Sequence, residues 1–254
     1  MGESKRRVAV VGDDDRAETL REAVRDAGVH LVAATHAASD ADATLAVGED
    51  ATRTALRNAP SGAVVPVGTQ RFAFGIDEAT NRIHRLFETL DSSVDGIDRV
   101  TYPVLTVDDG TPTVHRAAAD VALITEEPAR ISEFSVRFSR GHEESFRADG
   151  VVVATPFGSS GYANAIGGPI VEPDGGLSVV PIAPFSTGIN AWVVAERVTL
   201  SVERETEPVA LVVDGTVRRT IDPYRPVSIE ITGQTEVFIP TAASSPRARR
   251  SETL

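Results

Sequence analysis

With 254 residues, 41% of them hydrophobic and 24% charged, the chain can bury one large core or two smaller ones. Its 25 basic against 37 acidic residues leave a formal net charge of −12, a field that repels the phosphate backbone and argues against nucleic acid as a partner. Cysteine is absent, which excludes disulfides and cysteine-held metals, and neither a ~18-residue apolar span nor a signal-peptide core is found, so a cytoplasmic protein with no membrane partner is expected.

In chain order, Arg7–Val11 predicts a strand and Arg16–Ala27 a helix, with Ala17, Leu20, Ala23, Val24 and Ala27 at 3–4 spacing, Asp15 as its cap and Gly28 as its stop. Val29–Ala34 and Ala43–Val47 read as strands, Ala51–Asn58 as a helix, Ala63–Val67 as a strand and Asp77–Leu90 as a longer helix. Strands alternating with helices predict a three-layer α/β domain with a parallel sheet over residues 1–92. After a linker at Asp91–Gly96 the texture changes. Short runs at Val100–Val107, Asp120–Thr125, Ile131–Phe138, Val151–Thr155, Val198–Val202, Val209–Val213, Val227–Thr232 and Glu236–Ile239, punctuated by Gly, Pro and Asp, predict a β-rich, sandwich-like domain over 97–240. Residues 241–254 lack apolar periodicity and read as a disordered tail.

Candidate chemistry is concentrated in few places. Gly12-Asp13-Asp14-Asp15 sets carboxylates after the first strand, as a magnesium-holding loop would, but no lysine follows Lys5 to complete a phosphoryl-accepting site, and a solvated capping loop explains them. Gly158-Ser159-Ser160-Gly161 lacks the spacing of a nucleophile elbow, and His30, His36, His84, His115 and His142 all precede the serines. The densest cluster is Asp149-Gly-Val-Val-Val-Ala-Thr-Pro-Phe-Gly-Ser-Ser-Gly-Tyr-Ala-Asn-Ala-Ile-Gly-Gly-Pro169, followed by Val180-Pro-Ile-Ala-Pro-Phe-Ser186. It reads as a buried strand breaking into a loop of hydroxyls and glycines. Thr155, Ser159, Ser160 and Tyr162 offer donors and acceptors beside backbone that glycine lets a ligand approach, a surface suited to a ribose, amide or base. A Gly-, Ser- and Pro-rich strand corner is the structural alternative.

This stretch resembles the NAD kinases, whose signature runs D-G-x-x-x-x-T-P-T-G-S-T-A-Y, then G-G-P-I and P-I-x-P-H-S. The matching positions are Asp149, Gly150, Thr155, Pro156, Gly158, Ser159, Tyr162, Gly167, Gly168, Pro169, Ile170, Pro181, Ile182, Pro184 and Ser186, and Val213-Asp214-Gly215 is similar to the family's later V-D-G turn. The family's G-G-D-G-T loop has its counterpart in Gly48-Glu49-Asp50-Ala51-Thr52, for which an N-cap role of Asp50 is the bland alternative. The resemblance implies phosphorylation of the 2′-hydroxyl of the NAD adenosine ribose to give NADP, with ATP or polyphosphate as donor and Mg2+ neutralising the phosphates. Asp50 would be the base, Gly48, Glu49 and Thr52 would line the phosphates, and Asp120, Thr155, Ser160 and Tyr162 would bind NAD; no metal ligand is assigned. The family's habit of self-association implies a homo-oligomer.

The departures fall mainly on the phosphate side. Glu49 and Ala51 replace glycines, and Gly68-Thr69-Gln70-Arg71 keeps the family's G-x-N-x-G loop poorly. Ala119, Phe157, Ser160 and Phe185 stand for Asn, Thr, Thr and His. A non-catalytic NAD(P)-binding sensor or regulatory homologue is therefore the alternative function. Lys5 is the single lysine among the 25 basic residues, and this arginine-for-lysine balance on an acidic chain predicts salt adaptation, because the Debye length shrinks to about 3 Å at 1 M salt.

Overall fold

The computed structural model describes residues 6–33, 40–58, 60–127, 131–204 and 208–241. They form two compact units, one running to Thr101 and resumed from Thr235, the other comprising Tyr102–Gln234. The expected tail after Thr241 and the expected strand end at Ala34 lie outside the described residues.

In the first unit, β1 (Arg7–Val11), β2 (His30–Val32), β3 (Ala43–Val47) and β4 (Ala63–Val67) pair in parallel in the order β2-β1-β3-β4. β3 and β4 are buried at every position, as central parallel strands covered on both faces must be. The helices are α1 (Asp15–Asp26), α2 (Glu49–Asn58), α3 (Ile76–Asn81) and α4 (Ile83–Glu88). Leu20, Val24, Ala79, Ile83, Leu86 and Phe87 join Val8, Val10, Leu45, Val47, Val65 and Val67 in one core. Ala9, Ala46 and Val64 alternate with those strand residues and are buried toward the other face, while α2 buries Ala55 and Leu56 against β3 and β4.

Two helix boundaries differ from expectation. The cap of α1 is Asp14, whose Oδ1 accepts the Ala17 N–H at 3.2 Å, and Asp15 sits one residue inside, where its charge suits the helix dipole. The helix expected over Asp77–Leu90 is broken at Arg82 (φ −106°, ψ 14°) into α3 and α4. Ala79, Ile83, Leu86 and Phe87 keep helical spacing across the break, so the hydrophobic pattern does not reveal it. Gly28, at φ +71°, ends α1 as expected.

The remaining strands are β5 (Ile97–Asp108), β6 (His115–Ala117), β7 (Asp120–Thr125), β8 (Ser132–Phe138), β9 (Glu143–Ala148), β10 (Gly150–Ala154), β11 (Leu177–Ile182), β12 (Trp192–Val194), β13 (Arg197–Arg204), β14 (Val209–Val213), β15 (Thr216–Ile221) and β16 (Val227–Pro240). In the second unit, β12-β11-β10-β7-β14-β15 make an antiparallel six-stranded sheet, and β9, β8, β13, β16, β5 and β6 supply strands to another. Their inward residues, among them Leu105, Leu123, Phe134, Val136, Val153, Leu177, Leu200 and Leu211, form one core between the sheets. This is the β-sandwich that the strand texture predicts. The runs Val227–Thr232 and Glu236–Ile239 prove to be one strand: β16 starts in the sandwich and ends in the first unit, where Val237 pairs with Val64.

Candidate functional site

In the first unit the strand order reverses between β1 and β3, the place where ligands of open α/β sheets sit, outside the carboxyl ends of the strands. The turn after β3 is built around Gly48. Its φ of +88° is left-handed, its N–H donates to Val67 O at 2.8 Å, and its carbonyl accepts the Thr52 N–H and, at 2.8 Å, the Thr52 hydroxyl. Thr52 is wholly buried and its Oγ1 also accepts from Gln70 Nε2 at 3.1 Å, which ties the Gly68–Arg71 loop to this turn. The hydroxyl is thus spent on shaping the turn.

Asp50 is not the cap of α2, which starts one residue earlier at Glu49. Its side chain is 93% exposed and pairs with Arg53 at 3.0 Å, and Glu49, 62% exposed, shares the same guanidinium at 3.4 Å. Ala51 is absent from the residues with positive φ, so the alanine that replaces a family glycine carries no left-handed strain. The carboxylates of Glu49 and Asp50 therefore face solvent at the first turn of α2. Among the described residues no group of three His, Asp or Glu side chains could cage a metal, so a magnesium ion would have to share its coordination with phosphate oxygens and water.

In the second unit the Asp149–Pro169 stretch does not form the expected loop. It winds from β10 into a helical turn, α5 (Pro156–Gly158), that runs on into a π-turn at Ser159–Ala163. Thr155 caps it: fully buried, its hydroxyl donates to Ala118 O at 2.6 Å and accepts the Gly158 N–H at 3.2 Å. Expected to touch NAD, Thr155 has its hydroxyl committed within the fold. Gly158 must be glycine, since a Cβ there would lie 2.1 Å from Ala119 O. Ser159 is likewise internal, its hydroxyl donating to Pro156 O and accepting the Val171 N–H, both at 2.9 Å.

The other side of the Ala118–Asp120 segment is held by Asp214. This 4%-exposed carboxylate accepts the N–H groups of Ala118 (3.1 Å), Ala119 (2.8 Å) and Asp120 (3.3 Å). Asp214 and Gly215, at φ +49° and +74°, are the two turn residues of the β14–β15 hairpin, whose twist demands positive φ at both. The backbone leading into β7 is clamped, carbonyls by Thr155 and amides by Asp214. Asp214 was legible only as part of the V-D-G resemblance; its carboxylate's reach across some hundred residues to Ala118 leaves no local pattern.

At the surface of this platform lie Asp120, partly exposed at the start of β7; Ser160, whose hydroxyl has a long 3.5 Å approach to Phe157 O; and Tyr162, 46% exposed. Burial raises the Tyr162 phenol above its ordinary value of 10, and the charges of Asp120 and Asp149 add to the rise. Tyr162 thus stays a neutral donor at physiological pH, within electrostatic reach of Asp120.

Solved structures that share this fold include two kinases. An NAD kinase from Archaeoglobus fulgidus in complex with ATP matches with a TM-score of 0.72 and 22% identity, covering 97% of both chains. Yeast NADH kinase complexed with NADH matches with a TM-score of 0.74 and 15% identity over 98% of this chain and 87% of its own. The chain thus shares its fold with these two proteins. Residues 118–241 match the family model for the ATP-NAD kinase C-terminal domain. An NAD kinase of Methanospirillum hungatei JF-1 is 32% identical over 48% of this chain and 46% of its own, and one of Methanothermobacter thermautotrophicus is 28% identical over 72% and 66%. The match thus spans about half the length of the first of these relatives. Residues 118–241 are thus similar to the C-terminal domain of the NAD kinases.

Proposed function

We propose that the protein transfers the γ-phosphoryl group of ATP to the 2′-hydroxyl of the NAD adenosine ribose, giving NADP and ADP. The observation that carries the reading is the platform of the second unit, where Thr155 and Asp214 hold the Ala118–Asp120 backbone from two sides, with the half-exposed Tyr162 and with Ser160 beside it to meet the dinucleotide. Asp120 accepts from ribose or amide groups, and Tyr162 and Ser160 donate. The exposed Asp50 takes the 2′-hydroxyl proton as the new O–P bond forms and the bond to the β-phosphate bridging oxygen breaks, the electron pair leaving with ADP. Magnesium bound with the donor supplies charge neutralisation at the phosphates. Gly48 keeps the turn open to the chain of phosphates, and polyphosphate, which shares those groups, is the second donor to test.

One feature favours a different reading. Glu49 sets an exposed carboxylate on the turn that would receive phosphate, as a dinucleotide sensor without phosphoryl transfer would tolerate. Purified full-length protein, incubated in multimolar KCl with NAD, magnesium and either ATP or polyphosphate, separates the two. NADP detected by an NADP-specific dehydrogenase is the expected result; NAD bound with no NADP from either donor would establish the sensor.

A further inference from the structure

We infer that Arg16 is the cation that binds the donor's phosphates, parked on Asp14 until they arrive. The inference rests on the reading above and names a residue to which neither the family motifs nor the sequence reading assigns a role. A phosphate chain needs positive charge, yet the carboxyl ends of β1 and β3 carry Asp13, Asp14, Asp15, Glu49 and Asp50, and the sole lysine, Lys5, lies outside the described residues. Arg53 is already engaged by both Asp50 and Glu49 and is only 23% exposed.

Arg16 is more exposed, and its described ion pair is with Asp14 alone. It stands on the first turn of α1, half exposed at 48%, and its Nη2 lies 4.0 Å from the point a Cβ on Gly48 would occupy. Its guanidinium therefore reaches across the switch point from the β1 side to the turn after β3. There it donates through Nε to Asp14 Oδ2 at 2.8 Å, while Asp14 Oδ1 caps α1 through the Ala17 N–H. One carboxylate does both tasks, and the Arg16 hydrogen bond is the main cause that lowers its pKa. Guanidinium pairs with phosphate in the same geometry as with carboxylate, so handing Arg16 from Asp14 to a phosphate oxygen is an exchange of like partners.

Asp14 and Arg16 then predict opposite effects. Arg16→Gln removes the cation and is expected to weaken Mg·ATP binding and raise the KM for ATP about tenfold, with the KM for NAD unchanged and partial recovery in Arg16→Lys. Asp14→Asn keeps an oxygen to cap α1 but frees the guanidinium, so ATP binding is expected to tighten severalfold. Calorimetric titration of Mg·ATP into wild type and the three variants, each shown folded by circular dichroism, reads this directly. Wild-type ATP affinity in Arg16→Gln, or weakened affinity in Asp14→Asn, would overturn the inference. Arg16-dependent ATP binding without any NADP formation would instead sustain Arg16 as the phosphate ligand and overturn the kinase reading.

Discussion

At the scale of single residues, the buried carboxylates matter most. Replacing Asp214 by Ala strips three backbone N–H groups of their acceptor inside the fold, and at about 1–3 kcal/mol for each unsatisfied group the loss should be at least about 3 kcal/mol. Urea unfolding will measure it, and Asp214→Asn, which keeps one accepting oxygen, should lose less. Asp109 behaves differently. Its burial would raise its pKa, but hydrogen bonds from the Thr111 hydroxyl and N–H, and then the charges of Arg219 and His115, outweigh that and hold it below 3.8. A pKa lowered on folding adds stability that is present above the unfolded value and is lost as pH falls through the folded one. Between pH 4 and strong acid, Asp109→Asn should therefore lose stability less steeply than wild type, as urea midpoints at successive pH values will show. The candidate residues Asp120, Ser160 and Tyr162 were legible as types suited to a nucleotide. That Thr155 and Thr52 would turn inward was not, because the acceptors of their hydroxyls, Ala118 O and Gly48 O, are defined only once the turns exist.

At the scale of elements, apolar runs were a good guide to many of the buried strands. β1, β3, β4, β7 and β14 lie where the apolar runs put them. Two of the strands that escaped have little to bury: in Glu143–Ala148 only Phe146 and Ala148 are buried, and in Thr216–Ile221 only Ile221, because β9 and β15 are sheet edges, whereas β11 escaped although it is buried throughout. The turn after β3 yields a paired prediction. Gly48→Ala forces a side chain into left-handed backbone with no clash, at a cost of about 1–2 kcal/mol. Ala51→Gly, which restores the family's glycine, should also destabilise, by about 1 kcal/mol, because position 51 is helical and gains nothing from glycine's freedom. Unfolding by urea that showed Ala51→Gly to be stabilising would contradict the helical start at Glu49.

At the scale of the whole molecule, the alternation of helix and strand followed by strand alone announced an α/β part and a sandwich. It did not announce that the last strand goes back: Gly233 and the polar Gln234-Thr235 split the pattern of β16 into two apparent strands, and only pairing shows that Val237 completes the first unit's sheet beside Val64. The charge of −12 with a single lysine leads to a further expectation. Self-repulsion should make the fold depend on salt, so circular dichroism should show unfolding on dilution from multimolar to millimolar KCl, and equal stability at both would contradict salt adaptation.

The central claim is that this chain performs phosphoryl transfer with Asp50 as its base, and one comparison tests it most directly: NADP formation from NAD and Mg·ATP by wild type and Asp50→Asn, alongside NAD affinity for each. Asp50 is exposed and touches only Arg53 among the contacts described for it, so the substitution should leave fold and NAD binding intact while turnover falls by 10²-fold or more, as loss of a general base typically does. Turnover retained in Asp50→Asn would remove Asp50 from the chemistry, and no turnover in folded, NAD-binding wild type would contradict the kinase reading itself.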